Sequence, residues 1–359
     1  MREDIDIYAV NHDTNKQWQH RFTLVGELAA WVFDNLNPDH VSWDDSVSDK
    51  KATSTGRQVK ARQYVYEHLA VGKMLFPVED KDPLFTCAQF RDDSMILQLN
   101  HGKYPAFQRE VCAKYECLQD FDPSSVADVD WADLEKEMNE PTRRNAQNLR
   151  YEMCARWHEV DTRSDWADRQ MVGLVLRYKC MGAFSDNLHG SVPDSWSRAL
   201  SREYVECFAS PFNHKFETYY SIYEQDRIFG SHGNFFSMIR RNQGLLPDFG
   251  KYEINPPWNN QMYEKVYQIM ANTMKYQVMV EAIIVGPNWS DTRWIPGITG
   301  LITQETGGWY YHEHSFCKTR VLPYVNDNTG RPFNQDTVFW VITQAELEPA
   351  LLRSLKLNR

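Results

Sequence analysis

Apolar residues recur at steps of three and four in the first part of the chain, before about residue 197. This spacing predicts amphipathic helices at residues 22–36, 58–75, 140–160 and 169–181. Asn37-Pro38 and Gly182 follow two of these stretches as stop signals, and Pro141 suits the first turn of a third. A charged stretch at residues 120–133 is predicted to be a loop. Residues 1–196 are therefore predicted to form a mostly α-helical domain.

Beyond residue 197, short apolar runs alternate with amphipathic stretches. The runs predict strands at residues 204–211, 252–254, 277–285 and 337–343. Helices are predicted at residues 216–223 and 261–274, and a glycine-bearing loop at residues 226–233. Alternation of this kind predicts a largely parallel sheet that binds ligands at the carboxyl ends of its strands. Residues 197–359 are therefore predicted to form an α/β domain.

Composition places the chain among ordinary globular proteins. It has 359 residues, of which 42% are hydrophobic and 25% charged, enough for two domains with their own cores. The seven cysteines are odd in number and form no Cys-x-x-Cys pair, which favours a reducing compartment over a disulfide framework or a structural zinc. The first six residues are too charged for a secretion signal, and no apolar run reaches the roughly 18 residues of a membrane span. We expect a soluble intracellular protein, in the nucleus or the cytoplasm.

The net charge of −10 counts against nonspecific coating of nucleic acid, which depends on many Lys and Arg contacts with phosphates. It leaves room for a small site that reads one or two nucleotides.

The segment Asn255-Pro256-Pro257-Trp258 carries the most specific chemistry in the sequence. An adenine amino nitrogen is a poor nucleophile because its lone pair is delocalised into the ring. The Asn255 side-chain oxygen and the Pro256 carbonyl can each accept one of its N–H bonds, and proline fixes the local backbone. Such acceptors stabilise the positive charge that develops as the nitrogen attacks a methyl group. Trp258 offers a face on which the base can stack, worth about 1–3 kcal/mol. This four-residue catalytic segment predicts transfer of methyl from S-adenosylmethionine to N6 of an adenine; its alternative is a rigid turn.

A methyl donor needs its own site, and the weaker signals for one lie upstream. Small residues follow the first predicted strand of the α/β domain, and Asp226 follows Phe208 by 18 residues, near the spacing at which an acidic side chain binds a ribose hydroxyl. The turn at residues 229–233 could lie along the cofactor. The alternatives are an ordinary strand end, a surface aspartate and a loop. The predicted S-adenosylmethionine-binding residues are Cys207, Phe208, Ala209, Ser210, Pro211, Asp226, Phe229, Gly230, Ser231, Gly233 and Asn255.

Four segments, at residues 206–213, 229–233, 253–258 and 287–289, resemble the cap-specific adenosine N6-methyltransferases in order and spacing. This family is also called the phosphorylated-CTD-interacting factors, and the resemblance extends over about residues 190–345. It implies a helical domain beside a Rossmann-like methyltransferase domain. It also implies an enzyme that methylates N6 of the 2′-O-methylated adenosine following the 7-methylguanosine cap of mRNA, giving m6Am.

The resemblance also assigns residues and a partner. It implies that Asn255, Pro256, Pro257 and Trp258 form the catalytic loop, and that the segment around Trp289 recognises the capped end. The implied substrate-binding residues are Trp258, Asn260, Pro287, Asn288, Trp289 and Ser290. The expected partner is a capped RNA with adenosine as its first nucleotide, and the oligomeric state is left open.

Three features depart from the family. Trp258 stands where the best-known members have Phe, a conservative change for stacking. Asn260 stands where a substrate-contacting Glu is expected, and a neutral amide is a poorer partner for cationic 7-methylguanine. No amino-terminal WW module is visible, so binding to a phosphorylated polymerase tail is not implied.

His312-Glu313-His314 and Cys317 have the residue types of a metal site. They fall in a predicted loop, and the family that the chain resembles uses no metal. We therefore predict no metal site.

Three other functions stay open. An adenine-N6 methyltransferase acting on DNA or internal RNA could use the same segment, and so could a protein glutamine N-methyltransferase. The third is a non-catalytic cap- or RNA-binding module, which would keep its function without Asn255.

Overall fold

The computed structural model describes residues 9, 11–35, 122–157, 164–180, 190–192, 194–257, 260–276, 278, 280–287, 297, 310–316, 325–326, 331–332 and 337–343. In chain order the described helices are α1 (His12–Asn35), α2 (Trp131–Glu137), α3 (Glu140–Arg156), α4 (Ser164–Lys179), α5 (Asp194–Leu200), α6 (Phe235–Arg241) and α7 (Asn260–Lys275), with 3₁₀ turns at Pro123–Ser125 and Glu224–Phe229. The described strands are β1 (Gly190–Ser191), β2 (Val205–Glu206), β3 (Thr218–Tyr219), β4 (Gly250–Ile254), β5 (Val280–Pro287), β6 (Tyr310–Phe316), β7 (Val325–Asn326), β8 (Arg331–Pro332) and β9 (Thr337–Thr343).

The described residues fall into two compact units. One holds α3 and the described residues from β1 onward, and we call it the α/β unit. The other holds α1, α2 and α4, and we call it the helical unit. The division of the chain after residue 196 stays a prediction.

In the helical unit, α1 packs against α4. Trp18 and Val25 of α1 and Leu174 of α4 are among the buried apolar side chains. Asn15 donates from Nδ2 to the Arg169 carbonyl at 3.0 Å, which ties the two helices together. The predicted helices at residues 22–36 and 169–181 are confirmed, although α1 begins earlier, where the Asn11 side chain accepts from the Thr14 N–H at 2.8 Å.

A six-stranded sheet with the order β3-β2-β4-β5-β9-β6 forms the centre of the α/β unit. The first four strands in this order are parallel, and β9 runs antiparallel to both β5 and β6. Ile254, Ile283 and Ile284 of the central strands are fully buried, as is Met262 of α7. Such near-continuous apolar strands are typical of parallel sheets covered on both faces. A small antiparallel sheet, β1-β7-β8, accompanies it.

The sequence predicted four of the described helices and four of the described strands. The helices at residues 140–160 and 261–274 are confirmed as α3 and α7, and the strands at residues 252–254, 277–285 and 337–343 as β4, β5 and β9. The strand predicted at residues 204–211 is confined to β2. The helix predicted at residues 58–75 lies outside the described residues.

Four predictions need correction. The helix at residues 216–223 is wrong: β3 lies there, because a run rich in Tyr, Phe and Thr suits a pleated strand and the Tyr220 N–H donates to the Glu206 carbonyl at 2.8 Å. The loops at residues 120–133 and 226–233 contain parts of 3₁₀ turns, and the first also contains the start of α2. The segment His312-Glu313-His314 belongs to β6 rather than to a loop, since it pairs along β9.

None of the helices in the described ranges is long and apolar enough to cross a membrane. Among the same residues, no three His, Cys, Asp or Glu side chains gather as a metal site would require.

The second 3₁₀ turn ends at Gly230, whose φ of 97° favours glycine. Arg156, at the end of α3, lies so close that a Cβ on Gly230 would overlap its guanidinium group. Because the Arg156 side chain is exposed, its guanidinium group can move aside, so the main requirement for glycine at this position is the backbone conformation.

Gly230→Ala and Gly244→Ala should lower the free energy of unfolding by similar amounts. Both glycines have positive φ, at 97° and 86°, where an alanine costs about 1–2 kcal/mol. No described atom lies within 4 Å of a Cβ added at Gly244, and a Cβ added at Gly230 meets the end of the exposed Arg156 side chain, which can move aside. Urea unfolding of both variants measures the two losses. A clearly larger loss for Gly230→Ala would contradict this argument from backbone conformation.

Candidate active site

The direction of the strand order changes between β2 and β4. From β2 the chain continues to β3 on one side, whereas β4, on the other side of β2, is followed by β5 beyond it. In open α/β sheets, ligands bind in the crevice outside the carboxyl ends of the strands at such a switch point. We call the region at the carboxyl ends of β2 and β4, beside Glu206 and Ile254, the switch-point crevice.

The sheet brings two of the sequence motifs together at this crevice. The Cys207 N–H, just beyond β2, donates to the Glu253 carbonyl of β4 at 2.9 Å. Asn255 follows β4 directly, with 7% of its surface exposed. Because Pro256 and Pro257 have no N–H to continue the ladder, the chain leaves the sheet here. The predicted catalytic segment therefore begins at the switch-point crevice.

Tyr263 of α7 lies against the same segment. Its buried hydroxyl donates to the Val285 carbonyl of β5 at 2.9 Å and lies 3.4 Å from the Pro256 carbonyl. A carbonyl oxygen has two lone pairs, so the Pro256 oxygen can still accept from another donor. Tyr263 was not predicted from the sequence, although its position seven residues beyond Pro256, on a predicted helix, was a usable signal.

The segment after β2 forms a tight turn. The Ser210 N–H and hydroxyl both donate to the Asn213 side-chain oxygen at 2.8 Å, and the Ser210 hydroxyl accepts from the Phe212 N–H at 3.2 Å. Ser210 is thus occupied within the turn, and it is buried, as are Cys207, Ala209 and Pro211. The cofactor-binding roles of these residues stay predictions.

The Cys207 thiol stays protonated at neutral pH. Burial raises the pKa of Cys207 well above its ordinary value, and the neighbouring glutamates raise it further where they are ionised. A thiolate is the nucleophilic form of cysteine. Cys207 is therefore unsuited to nucleophilic catalysis, although it lies at the crevice.

The loop at residues 229–233 is tied to β3. The His232 N–H donates to the Tyr219 carbonyl at 2.8 Å, and the Tyr219 hydroxyl donates to the Phe229 carbonyl at 3.0 Å. Ser231 shares a 2.7 Å hydrogen bond with Ser221, and its hydroxyl accepts from the Gly233 N–H at 3.0 Å. The loop therefore lies at the carboxyl ends of β3 and β2, where the cofactor was predicted.

Asp226 is fully buried in the 3₁₀ turn. Burial raises the pKa of the Tyr219 phenol, and the negative charge of Asp226 raises it further. Asp226 is thus close enough to Tyr219 for its charge to act on this tyrosine, and its role at a ribose hydroxyl stays a prediction.

A group of rings flanks the strand ends, and its members other than Phe208 were not predicted from the sequence. Phe208, partly exposed, lies with its ring centroid 4.9 Å from Phe235 and 5.5 Å from Phe236. Tyr220, also partly exposed, lies 6.0 Å from Phe235 and 5.8 Å from His232. Partly exposed rings of this kind can stack on a nucleoside base. The Phe235-Phe236 pair was the available sequence signal.

His232 is uncharged at neutral pH. Burial lowers its pKa, and so do the positive charges of Arg227 and Arg156. Burial likewise lowers the pKa of His214, whose ring stacks on Tyr219 at 4.1 Å. The two imidazoles therefore add polarity near the crevice but no charge.

The remaining predicted residues are placed only in part. Pro287 ends β5 and is buried, and Asn260 begins α7. The other predicted substrate-binding residues lie outside the described residues: Trp258, Asn288, Trp289 and Ser290. The substrate-binding assignments, like the catalytic ones, stay predictions.

Comparison with curated proteins finds no match to the chain. Residues 150–300 match the model of a protein family described as "Phosphorylated CTD interacting factor 1 WW domain". The matched residues contain β2 to β5, the switch-point crevice and the catalytic segment, and they make up less than half of the chain. The match supports a relationship between these residues and the phosphorylated-CTD-interacting factor 1 family.

Proposed function

We propose that this chain is an S-adenosylmethionine-dependent methyltransferase that acts on N6 of the adenosine next to the 7-methylguanosine cap of mRNA. The observation that carries the proposal is the position of Asn255 and the Pro256 carbonyl at the switch-point crevice, two hydrogen-bond acceptors at the end of a central parallel strand. The family match is compatible with this activity. The sheet, parallel apart from the pairs of β9, supports a Rossmann-like fold for the unit.

The crevice has the features that a nucleoside cofactor requires. Phe208 and Tyr220 present partly exposed rings beside it, and two positive-φ glycines, Gly230 and Gly233, let the nearby backbone turn closely. When bound, S-adenosylmethionine supplies an electrophilic methyl group on its sulfonium. These residues would hold its adenosine part at the ends of β2 and β3.

The chain's own residues prepare the amino nitrogen. Asn255 accepts one N6–H through its side-chain oxygen, and the Pro256 carbonyl accepts the other. These bonds favour sp³ character at nitrogen and stabilise the positive charge that develops on it. Trp258 stacks on the base and fixes its plane. As a carbon–nitrogen bond forms, the carbon–sulfur bond breaks, and the extra proton on nitrogen leaves to water.

Recognition of the capped end is assigned to residues 287–290 with Asn260, and the partner to a capped RNA that begins with adenosine. The net charge of −10 disfavours the long basic groove that internal RNA or DNA would require. The amide nitrogen of a glutamine side chain is a poor nucleophile for the same reason as the adenine amino nitrogen, so the catalytic segment would also suit it. A protein glutamine methyltransferase would need no recognition of the cap.

An assay with radiolabelled S-adenosylmethionine and short RNAs that differ only in cap and first nucleotide tests this function. Capped RNA starting with A should accept methyl, whereas G-start and uncapped RNAs should not. Asn255→Ala should lower kcat by roughly 10²–10³-fold, by analogy with loss of one transition-state hydrogen bond. Asn242→Ala is the matched control, because Asn242 lies beyond α6 and donates to the Leu245 carbonyl at 3.0 Å.

The outcomes separate the alternatives. Equal transfer of methyl to capped and uncapped RNA would overturn cap specificity alone. Transfer to a glutamine peptide instead of RNA would show that the substrate is protein. Cap binding that survives Asn255→Ala, with no transfer by the unchanged chain, would favour a binding module. No binding of S-adenosylmethionine would overturn the enzyme.

Tyr263→Phe should lower kcat by about three- to tenfold with little change in KM. The Tyr263 hydroxyl donates to the Val285 carbonyl, a hydrogen bond that contributes about 0.5–1.5 kcal/mol, and the substitution removes this anchored hydroxyl from beside the Pro256 carbonyl. Tyr252→Phe is the control, because its hydroxyl donates to the Pro247 carbonyl at 3.1 Å, away from the carboxyl end of β4. A rise in KM alone, or equal kcat losses in both variants, would contradict a positioning role for Tyr263.

A further inference from the structure

Two glutamates that the proposed mechanism does not use lie side by side at the switch-point crevice. Glu206 of β2 is paired in register with Glu253 of β4, so their side chains share one face of the sheet with backbones about 5 Å apart. Their exposed fractions are 4% and 1%. Buried carboxyl groups are rare unless their charge is compensated.

Of the two glutamates, Glu206 receives hydrogen bonds that stabilise a negative charge. Glu206 accepts hydrogen bonds from the Lys215 and Phe216 N–H groups at 2.7 and 3.1 Å, which favour its ionised form. Among the described residues, neither carboxyl oxygen of Glu253 has a hydrogen-bond partner. Burial, and then the charge of Glu206, raise the pKa of Glu253 well above its ordinary value. Glu253 is therefore an uncharged carboxylic acid at neutral pH.

The groups around Glu253 leave Glu206 as the charge that acts on it. On β2, the Cys207 thiol has a raised pKa and stays protonated. On β3, Tyr219 is paired with Glu206 and also has a raised pKa. On β5, the residue paired with Glu253 is the apolar Ile283. Burial and the charge of Glu206 thus both favour the uncharged form of Glu253.

The position of Glu253 connects its charge to the catalytic segment. Its carbonyl accepts the 2.9 Å hydrogen bond from the Cys207 N–H, which joins β4 to the end of β2 two residues before Asn255. A second carboxylate at this point would repel Glu206 across the strand pair that this bond closes. The repulsion would act two residues from Asn255.

We propose that Glu253 is a positioning residue that acts as a neutral carboxylic acid, and that its lack of charge keeps the end of β4 on β2 and Asn255 at the switch-point crevice. The inference rests on the proposed function. It implies an enzyme whose kcat falls as Glu253 ionises at alkaline pH.

The test compares Glu253→Gln and Glu253→Ala with the unchanged chain in kcat against pH. The glutamine is a neutral isostere, so it should retain most of the kcat at pH 7 and lose the alkaline fall, whereas Glu253→Ala should lower kcat by tenfold or more. Glu203→Gln is the control: it removes one negative charge from an exposed ion pair with Lys251, and should leave the pH profile unchanged. A folded, cofactor-binding Glu253→Gln chain without activity would overturn the proposal, and so would an unchanged alkaline fall.

Thermal unfolding provides a readout that does not depend on methyl transfer. Above the ordinary pKa of glutamate the unfolded chain releases a proton that the folded chain retains, so this carboxyl lowers stability progressively as pH rises towards its folded pKa. The difference in Tm between Glu253→Gln and the unchanged chain should therefore increase from pH 5 to pH 9. A Tm difference that stays constant with pH, or a glutamine variant that does not fold, would contradict the proposal that Glu253 is uncharged in the folded chain. If the unchanged chain transferred no methyl group, the proposed function would be overturned, but the unfolding measurement would still test the protonation state of Glu253.

Discussion

The pairing of β2 with β4 is the constraint on which the site depends. These two short parallel strands end at the same edge of the sheet, and the bond from the Cys207 N–H to the Glu253 carbonyl joins them there. Every motif that the sequence singled out upstream of residue 258 reaches this edge, or a loop tied to it, through the strand that precedes it. Two segments nearly 50 residues apart in sequence therefore meet at one crevice.

The chemistry of that edge depends on which polar groups are already occupied. Ser210 and Asn213 satisfy each other within the turn after β2, and Ser231 satisfies Ser221, so these side chains shape loops. The Pro256 carbonyl, by contrast, lies 3.4 Å from the Tyr263 hydroxyl and can accept a further hydrogen bond from a ligand. Glu253 has no hydrogen-bond partner for its carboxyl group among the described residues, and such a buried carboxyl is tolerated when it is uncharged.

The sequence predicted the parts of the fold that have strong periodicity and missed those that depend on tertiary pairing. The apolar run of β5 and the amphipathic pattern of α7 are local features, and both are confirmed. Residues 216–223 failed as a helix because pairing with β2, a contact across 13 residues at Val205 and Thr218, decides their conformation. The paired glutamates were missed because register is a property of two strands, and one strand's sequence does not reveal it. The placement of Asn255 at a strand end was accessible, since prolines that stop an apolar run can be read locally.

Hydrogen exchange of the chain with and without S-adenosylhomocysteine tests the proposed binding of S-adenosylmethionine at the switch-point crevice. Saturating ligand should slow amide exchange in peptides covering residues 207–214 and 229–233, with smaller effects in α1 and α4. Saturable binding that leaves both of these peptides unchanged would contradict the claim.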